Sequence, residues 1–529
     1  MAVTVNTVMI LTILIPFFSG LLIFGLKKYL KKFCGELSTG IVIVVISILS
    51  ILLSRVRQSE TGILFGFYTT AEGNEFGPPV GVQFSITPGI AVMLLIINII
   101  IASYFIYITF TKRNEAEITS LLSFSLIIVS GINGLLLSND FLTLIICWVI
   151  IGFSFLFILI YQQTIMDIKS TITPFFILFG ISIVFLFLAM ILCYTLFGCV
   201  NFQLIMQSPE LFETNRFKNG TFIIYFIIVL CILGFGGLVQ LFLLNNWSLQ
   251  SLTNHVQESG LIFSALISQL AIYSLFKVLF SVFSPTISSL PNYSLILLIF
   301  GFLTVFEGLL LLFISFYNKN TKTTIHSFLT QLLIFQSGLA VVLFSISGMV
   351  MYKNQIVTSL ALNLYGYSLL YLLNAFCSLT LIIQSIFKMS NDRNETIYIE
   401  EFCGIMKERP ITTLVFTISL FSLIGLLPTI GGVSIFMEFY TIILTGFWYL
   451  AIILSFTLLI SVAIVLFLLK IVIFEKQAIN RNLGENGFSK DITVPTLVSF
   501  CIAFFLILFA FIPGTILQSI FEGLNNLLS

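Results

Sequence analysis

FSLIGLLPTIGGVSIFMEFY, residues 421–440, stands inside an apolar run that extends from 411 to 446. One straight membrane-spanning helix needs about 20 residues, and this run is far longer. Pro428 removes a backbone donor, and Gly425, Gly431 and Gly432 loosen the chain around it. The stretch therefore reads as one discontinuous helix. A second weak point, LGFGG with Gly234, Gly236 and Gly237, interrupts the run 221–245. Interrupted spans in two separated parts of a transporter-like chain point to paired inverted repeats. Plain loop-plus-helix punctuation is the other reading of the same glycines.

The rest of the chain extends this pattern. Of its 529 residues, 59% are hydrophobic and only 9% are charged, against about 25% charged in soluble proteins. The mean hydropathy is +1.15. Fourteen apolar runs fall near 7–26, 38–54, 86–110, 118–137, 140–161, 173–196, 221–245, 260–283, 293–317, 325–349, 356–387, 411–446, 447–474 and 492–516. Lipid offers no partner to a bare backbone group, so such runs must be helices. The expected fold is an all-α polytopic membrane protein with about 14 transmembrane helices, antiporter-like in its inverted repeats and discontinuous seventh and twelfth helices. A single transmembrane domain is expected over 1–516, followed by a short tail, 517–529. Within it, helices 1–3 occupy 7–110, a first repeat 118–283, a second repeat 293–474 and the last helix 492–516.

This composition excludes several function classes. No polar stretch is large enough for a water-soluble catalytic domain, so nucleotide-binding folds, zinc fingers and secreted disulfide scaffolds are ruled out. A net charge of +1 implies no nucleic-acid partner. The eight Cys show no metal spacing. Fifty-eight Phe against three Trp suggests an AT-rich gene, such as an organelle encodes. The N-terminus lacks a basic n-region, so no cleaved signal peptide is expected. Lys and Arg divide 17 to 6 between the two sides of the fourteen-span layout. The side richer in cations is the inner one, which puts both termini on the outer side.

Four segments, in order, resemble the antiporter-like subunits of respiratory complex I, most like subunit 2 of NADH:ubiquinone oxidoreductase. SNDFLTLIICWVIIGFSFLFIL, 138–159, is similar to the S-N-D-L-x-T opening of the family's fifth helix. NNWSLQSLTNHVQESGLIFSALISQLAIYSLFKVLF, 245–280, resembles the stretch where a broken seventh helix ends in P-F-H-x-W and an eighth closes on Arg, with Trp247 and Lys277 at the two ends. HSFLTQLLIFQSGLAVVLF, 326–344, resembles K-R-L-L-A-Y-S-S-I-S-H-x-G and keeps Gly338. The opening segment, 421–440, is similar to S-L-A-G-I-P-P-T-A-G-F-x-x-K-F and keeps Ser422, Leu423, Gly425, Pro428, Thr429, Gly431 and Phe436.

In that family, proton passage is attributed to ionisable groups at mid-membrane depth, and such costly charges are retained for function. The resemblance puts the family's helix 5 Glu at Val149, its helix 7 Lys at Leu238, its helix 8 Lys at Ser268, its helix 10 His at Gln336 and its helix 12 Lys at Ile435. None of these side chains titrates near neutral pH. Few intramembrane charges remain. Glu438, three residues after Ile435 and close to its helical face, either replaces a lost group or neutralises a loop or subunit contact. Glu307 reads as an interhelical or intersubunit polar contact. Lys277 and Lys470 read as anchors that snorkel to the surface. Asp140 suits a helix N-terminus. His255 and His326 read as interfacial.

The resemblance implies a membrane-arm subunit of a proton-translocating NADH:ubiquinone oxidoreductase. Its role is structural or conformational and its own proton channel degenerate. It carries no catalytic residue and no metal or cofactor of its own; FMN, iron–sulfur clusters and ubiquinone belong to the complex as a whole. The partners implied are other membrane-arm and accessory subunits and lipids. The location implied is the mitochondrial inner membrane, with both termini toward the intermembrane space. The alternatives are a stand-alone or Mrp-type cation/proton antiporter subunit and a divergent complex I subunit 4.

Overall fold

Ser, Thr, Asn and Gln are buried among apolar side chains in the enclosed helices of this chain, while the outer helices expose Phe, Leu and Ile. The computed structural model describes residues 2–30, 33–56, 60–65, 81–111, 118–161, 168–206, 220–252, 258–283, 292–317, 324–354, 359–390, 402–474 and 491–511. Its main helices are α1 (Ala2–Gly25), α2 (Cys34–Arg55), α3 (Pro88–Thr111), α4 (Ile118–Leu137), α5 (Phe141–Tyr161), α6 (Ile168–Phe197), α7 (Gly220–Val239) and α8 (Glu258–Val282). They continue with α9 (Tyr293–Tyr317), α10 (Ile325–Asn354), α11 (Ser359–Met389), α12 (Pro410–Ile424), α13 (Ile430–Leu444), α14 (Trp448–Phe474) and α15 (Val494–Phe511). Thirteen are long and apolar enough to cross a membrane, and α12 and α13 are two shorter apolar halves. Each of the fourteen apolar runs thus becomes one span, with 411–446 divided between α12 and α13.

Helices α4, α8, α10 and α11 form the enclosed centre. Most of their serine and threonine hydroxyls are satisfied within their own helix, as Ser264 Oγ donates to the Leu261 carbonyl at 2.8 Å and Ser345 Oγ to the Val341 carbonyl at 2.6 Å, while Ser130 Oγ reaches the Ile13 carbonyl of another helix at 2.7 Å. Back-bonding of this kind lets small polar residues sit in an apolar bundle without a partner on another helix. Close approach between helices comes from glycine. A Cβ on Gly308 of α9 would lie 2.7 Å from the Phe335 backbone of α10, and one on Gly338 of α10 would lie 2.7 Å from the Val305 nitrogen. Small residues at such crossings are the usual way membrane helices gain van der Waals contact.

The connection 55–85 adds an element that the apolar pattern does not reveal. Strands β1 (Glu60–Phe65) and β2 (Val82–Ile86) pair antiparallel, with Glu60 opposite Ile86 and a bulge between Ile63 and Phe65. The β2 edge continues to the start of α5: Asn139 N donates to the Gln83 carbonyl at 3.0 Å and Gln83 N to Asp140 Oδ2 at 2.7 Å. Asp140 also accepts from Thr143 N at 2.6 Å and Thr143 Oγ1 at 2.5 Å, so it caps α5. At the far end of the chain, Asp491 caps α12 from outside it, accepting from Ile411 N at 2.7 Å and Thr412 N at 3.2 Å. His255 and many of the loop cations counted for orientation lie outside the described residues.

Candidate functional site

Two helix breaks organise the interior. The second is built by local capping chemistry. Gly425 ends α12 in the left-handed region, φ +83°, and Leu426 N closes the turn on the Phe421 carbonyl at 2.9 Å. This is the glycine-dependent helix stop. Thr429 then caps α13, accepting from Gly432 N at 3.3 Å. Between the halves, the Leu427–Pro428 peptide is cis.

The carbonyls freed at the end of α12 find partners on α11. Asn374 Nδ2 donates to the Ser422 carbonyl at 2.9 Å, and Ser422 Oγ donates back to Asn374 Oδ1 at 2.5 Å. The Tyr371 hydroxyl lies 2.7 Å from Gln336 Oε1 on α10 and 3.1 Å from the Leu423 carbonyl. Where the resemblance puts a histidine, Gln336 therefore takes part in a neutral cross-link from α10 through α11 to the helix break. Replacing Asn374 by Ala removes the side-chain donor to the Ser422 carbonyl, which keeps only the Gly425 N–H at 3.2 Å, and the acceptor of Ser422 Oγ; it should lower stability by about 1–3 kcal/mol, and the melting temperature of the detergent-purified protein checks this.

The first break does not fall on its glycines. Helix α7 runs through LGFGG to Val239, and the chain departs at Gln240 and Leu243, both at φ 70°. Gly234 and Gly237 serve packing: a Cβ there would lie 2.8 Å from Leu186 and 2.6 Å from Leu178 of α6. Gly236 stands beside the break, its carbonyl accepting from Leu241 N at 3.0 Å. Two non-glycine residues in the left-handed region cost roughly 1–2 kcal/mol each. Bonds to α9 offset that cost, since Phe242 N donates to Thr304 Oγ1 at 2.9 Å and Asn245 Nδ2 donates to Glu307 Oε2 at 2.6 Å. Trp247 Nε1 completes the turn by donating to the Gly237 carbonyl at 2.8 Å.

The remaining site residues separate by environment. Leu238 and Ser268 are fully buried, Ile435 nearly so and Val149 half-buried. Ser268 Oγ donates to the Ala265 carbonyl at 2.9 Å. Ile435 and Glu438 line one small cavity with Leu339 and Leu343 of α10 and Leu454 and Leu458 of α14. Glu438 is buried and neither carboxyl oxygen has a partner among the described residues. It therefore faces α10 and α14 rather than a loop. Lys277 does not snorkel: its Nζ donates to the Leu136 carbonyl at 3.0 Å and the Ser138 carbonyl at 2.6 Å, closing the C-terminal end of α4. A cation is favourable at that end of a helix dipole. Lys470 is exposed near the end of α14.

Two buried amides were not singled out in the sequence. Both side-chain polar atoms of Gln240 and Gln269 lack a partner among the described residues, as does Nε2 of Gln336. Polar groups in such positions ordinarily bind water. A glutamine inside an apolar span is the signal that marks them, because desolvating an amide is costly.

Known proteins place the fold. A family profile described as NADH:quinone oxidoreductase/Mrp antiporter, TM, matches residues 138–461, more than half of the chain. The chain belongs to that family. The matched region of this NADH:quinone oxidoreductase/Mrp antiporter family member begins at Ser138, whose carbonyl binds Lys277, and takes in both helix breaks. No curated protein sequence matches the chain significantly.

Several solved membrane complexes contain a chain of the same fold. A chain of the membrane-bound sulfane sulfur reductase, an archaeal respiratory membrane complex, superposes with a TM-score of 0.78 at 19% identity, covering 99% of this chain and 98% of that one. A chain of the Mrp complex from Dietzia sp. gives 0.79 at 12%, covering 99% and 98%. A chain of respiratory complex I from Thermus thermophilus, with bound aureothin, gives 0.69 at 14%, covering 97% and 100%. At these identities the likeness shows the fold alone.

Proposed function

We propose that the chain is a membrane-arm subunit of a proton-translocating NADH:ubiquinone oxidoreductase, of the subunit 2 kind, in the mitochondrial inner membrane. It fills the arm and transmits conformational strain, and its own proton channel is degenerate. One observation carries this reading: the second helix break is tied to α10 and α11 by Gln336, Tyr371, Asn374 and Ser422, all neutral near pH 7. Val149, Leu238, Ser268 and Ile435 add no titratable group. A rigid neutral brace couples helix positions mechanically but passes no proton. In this reading FMN, the iron–sulfur clusters and ubiquinone reduction belong to other subunits, and both termini face the intermembrane space.

Glu438 favours a second reading, an Mrp-type cation/proton antiporter subunit or a divergent subunit 4. Its unpartnered carboxyl shares a cavity with Ile435. Native electrophoresis with mass spectrometry tests the assembly: the chain is expected to co-migrate with NADH-oxidising activity. Glu438→Gln tests the silent channel. NADH-driven proton pumping per electron is expected to stay within about twofold of wild type. A collapse of pumping with NADH oxidation retained overturns the degenerate-channel assignment in favour of the second reading.

A further inference from the structure

We infer that the outward face of α9 centred on Glu307 is an intersubunit contact, covered by a membrane helix of a neighbouring subunit that presents a hydrogen-bond donor at mid-depth. The inference rests on the reading of the chain as a subunit of a larger membrane complex. Leu303, Phe306, Leu310 and Ile314 recur at helical spacing and are exposed, forming a continuous apolar stripe. Glu307 lies on the edge of that stripe, near the middle of a helix that runs from Tyr293 to Tyr317. It is half-buried, and only its Oε2 is engaged, by Asn245 Nδ2 at 2.6 Å. Its Oε1 has no partner among the described residues.

Hydrocarbon cannot supply one. An acidic group at mid-span facing lipid is among the most unfavourable placements a membrane helix can have, and headgroups are out of reach at that depth. The outward face of α6 provides the contrast. Its exposed residues at mid-helix, Ile177, Ile181, Val184, Phe187 and Leu188, are all apolar, as a lipid-facing surface should be. Charge complementarity therefore selects the occupant of the α9 face: an apolar helix with one Lys, Arg, Asn, Gln, Ser, Thr or Tyr opposite Glu307. The same carboxyl holds Asn245 in the first break, so the contact joins a neighbouring subunit to that break through one residue.

Photo-crosslinking in the assembled membrane tests the contact, with a benzoylphenylalanine at Phe306 and a control at Val184. Phe306 is expected to label another membrane subunit and Val184 only lipid. In the Phe306 background, Glu307→Leu should reduce the protein crosslink by about 3- to 20-fold, the range of interhelical polar contacts, and Glu307→Gln should retain most of it. Asn245→Leu breaks the internal bond and leaves the carboxyl in place, so the crosslink should persist; this separates the contact from a general loosening of α9. Labelling of lipid alone at Phe306, or an undiminished crosslink with Glu307→Leu, overturns the inference. Purification of the chain without other subunits instead overturns the complex-subunit reading on which it rests.

Discussion

Gly431→Ala is expected to prevent normal assembly, with a loss of roughly 3–5 kcal/mol in stability. In an isolated helix the same change is favourable by about 0.5–1 kcal/mol, because glycine is the poorer helix former. The sign reverses here because of where the first turn of α13 lies. A Cβ on Gly431 would fall deep inside the van der Waals shell of the Ser422 carbonyl oxygen and 2.5 Å from Asn374 Nδ2. Both are the pair that braces the end of α12. Neither can retreat without breaking the Asn374–Ser422 contact, so the added methyl separates α13 from α12 and α11. Gly180→Ala in α6, where a Cβ would meet nothing within 4 Å, is the matched control and should be neutral or slightly stabilising. The yield of assembled complex and its melting temperature distinguish the two. Normal assembly of the Gly431 variant would falsify the close-approach argument for this break.

The second large effect is expected at Lys277. Its ammonium donates to the two carbonyls that end α4 and lies within Coulombic reach of Asp140, the cap of α5. Lys277→Met preserves the length and apolar stem but removes the charge. The Leu136 and Ser138 carbonyls then lose a charged donor, and Asp140 loses its nearby cation. Hydrogen bonds to charged groups contribute about 1.5–3 kcal/mol each, and stripping one partner from a buried ionic arrangement costs roughly 3–5 kcal/mol. Part of Lys277 remains accessible, so about 2–4 kcal/mol is the expected loss. Lys277→Arg keeps a cation and several donors and should recover most of it. Thermal melting of the three proteins in one detergent checks the ordering: wild type, then Arg, then Met. Equal stability of the Met variant and wild type would show that the α4 end is satisfied by other means.

These cases separate what a linear pattern reveals from what it cannot. Hydropathy adds up along the chain, and a backbone in lipid has helix as its only open-chain solution. The fourteen spans, the division of 411–446 and the stop at Gly425 were therefore legible from residue order alone. The hairpin of β1 and β2 was not, since it lies in a polar connection where no periodic apolar signal marks it. The first break was misread by several residues. Glycine next to a break and glycine under a neighbouring helix look identical in sequence, and Gly234 and Gly237 are of the second kind.

The candidate site divides in the same way. The absence of titratable groups at Val149, Leu238, Ser268, Gln336 and Ile435 is a property of residue identity, so it was visible before any fold was known. What replaced them was not. That Gln336 reaches the α12 carbonyl through Tyr371, that Lys277 turns inward to α4, that Glu307 holds Asn245 and that Glu438 faces a cavity shared with α14 all depend on which helices are neighbours. The helical period determines which residues share a face, but it carries no information about which helix that face meets. The sequence by itself therefore determined a fourteen-span bundle with an interrupted twelfth helix and few interior charges. Only the tertiary structure decided which groups satisfy those charges, because a buried polar atom is paired across space and its partner stands up to 281 residues away.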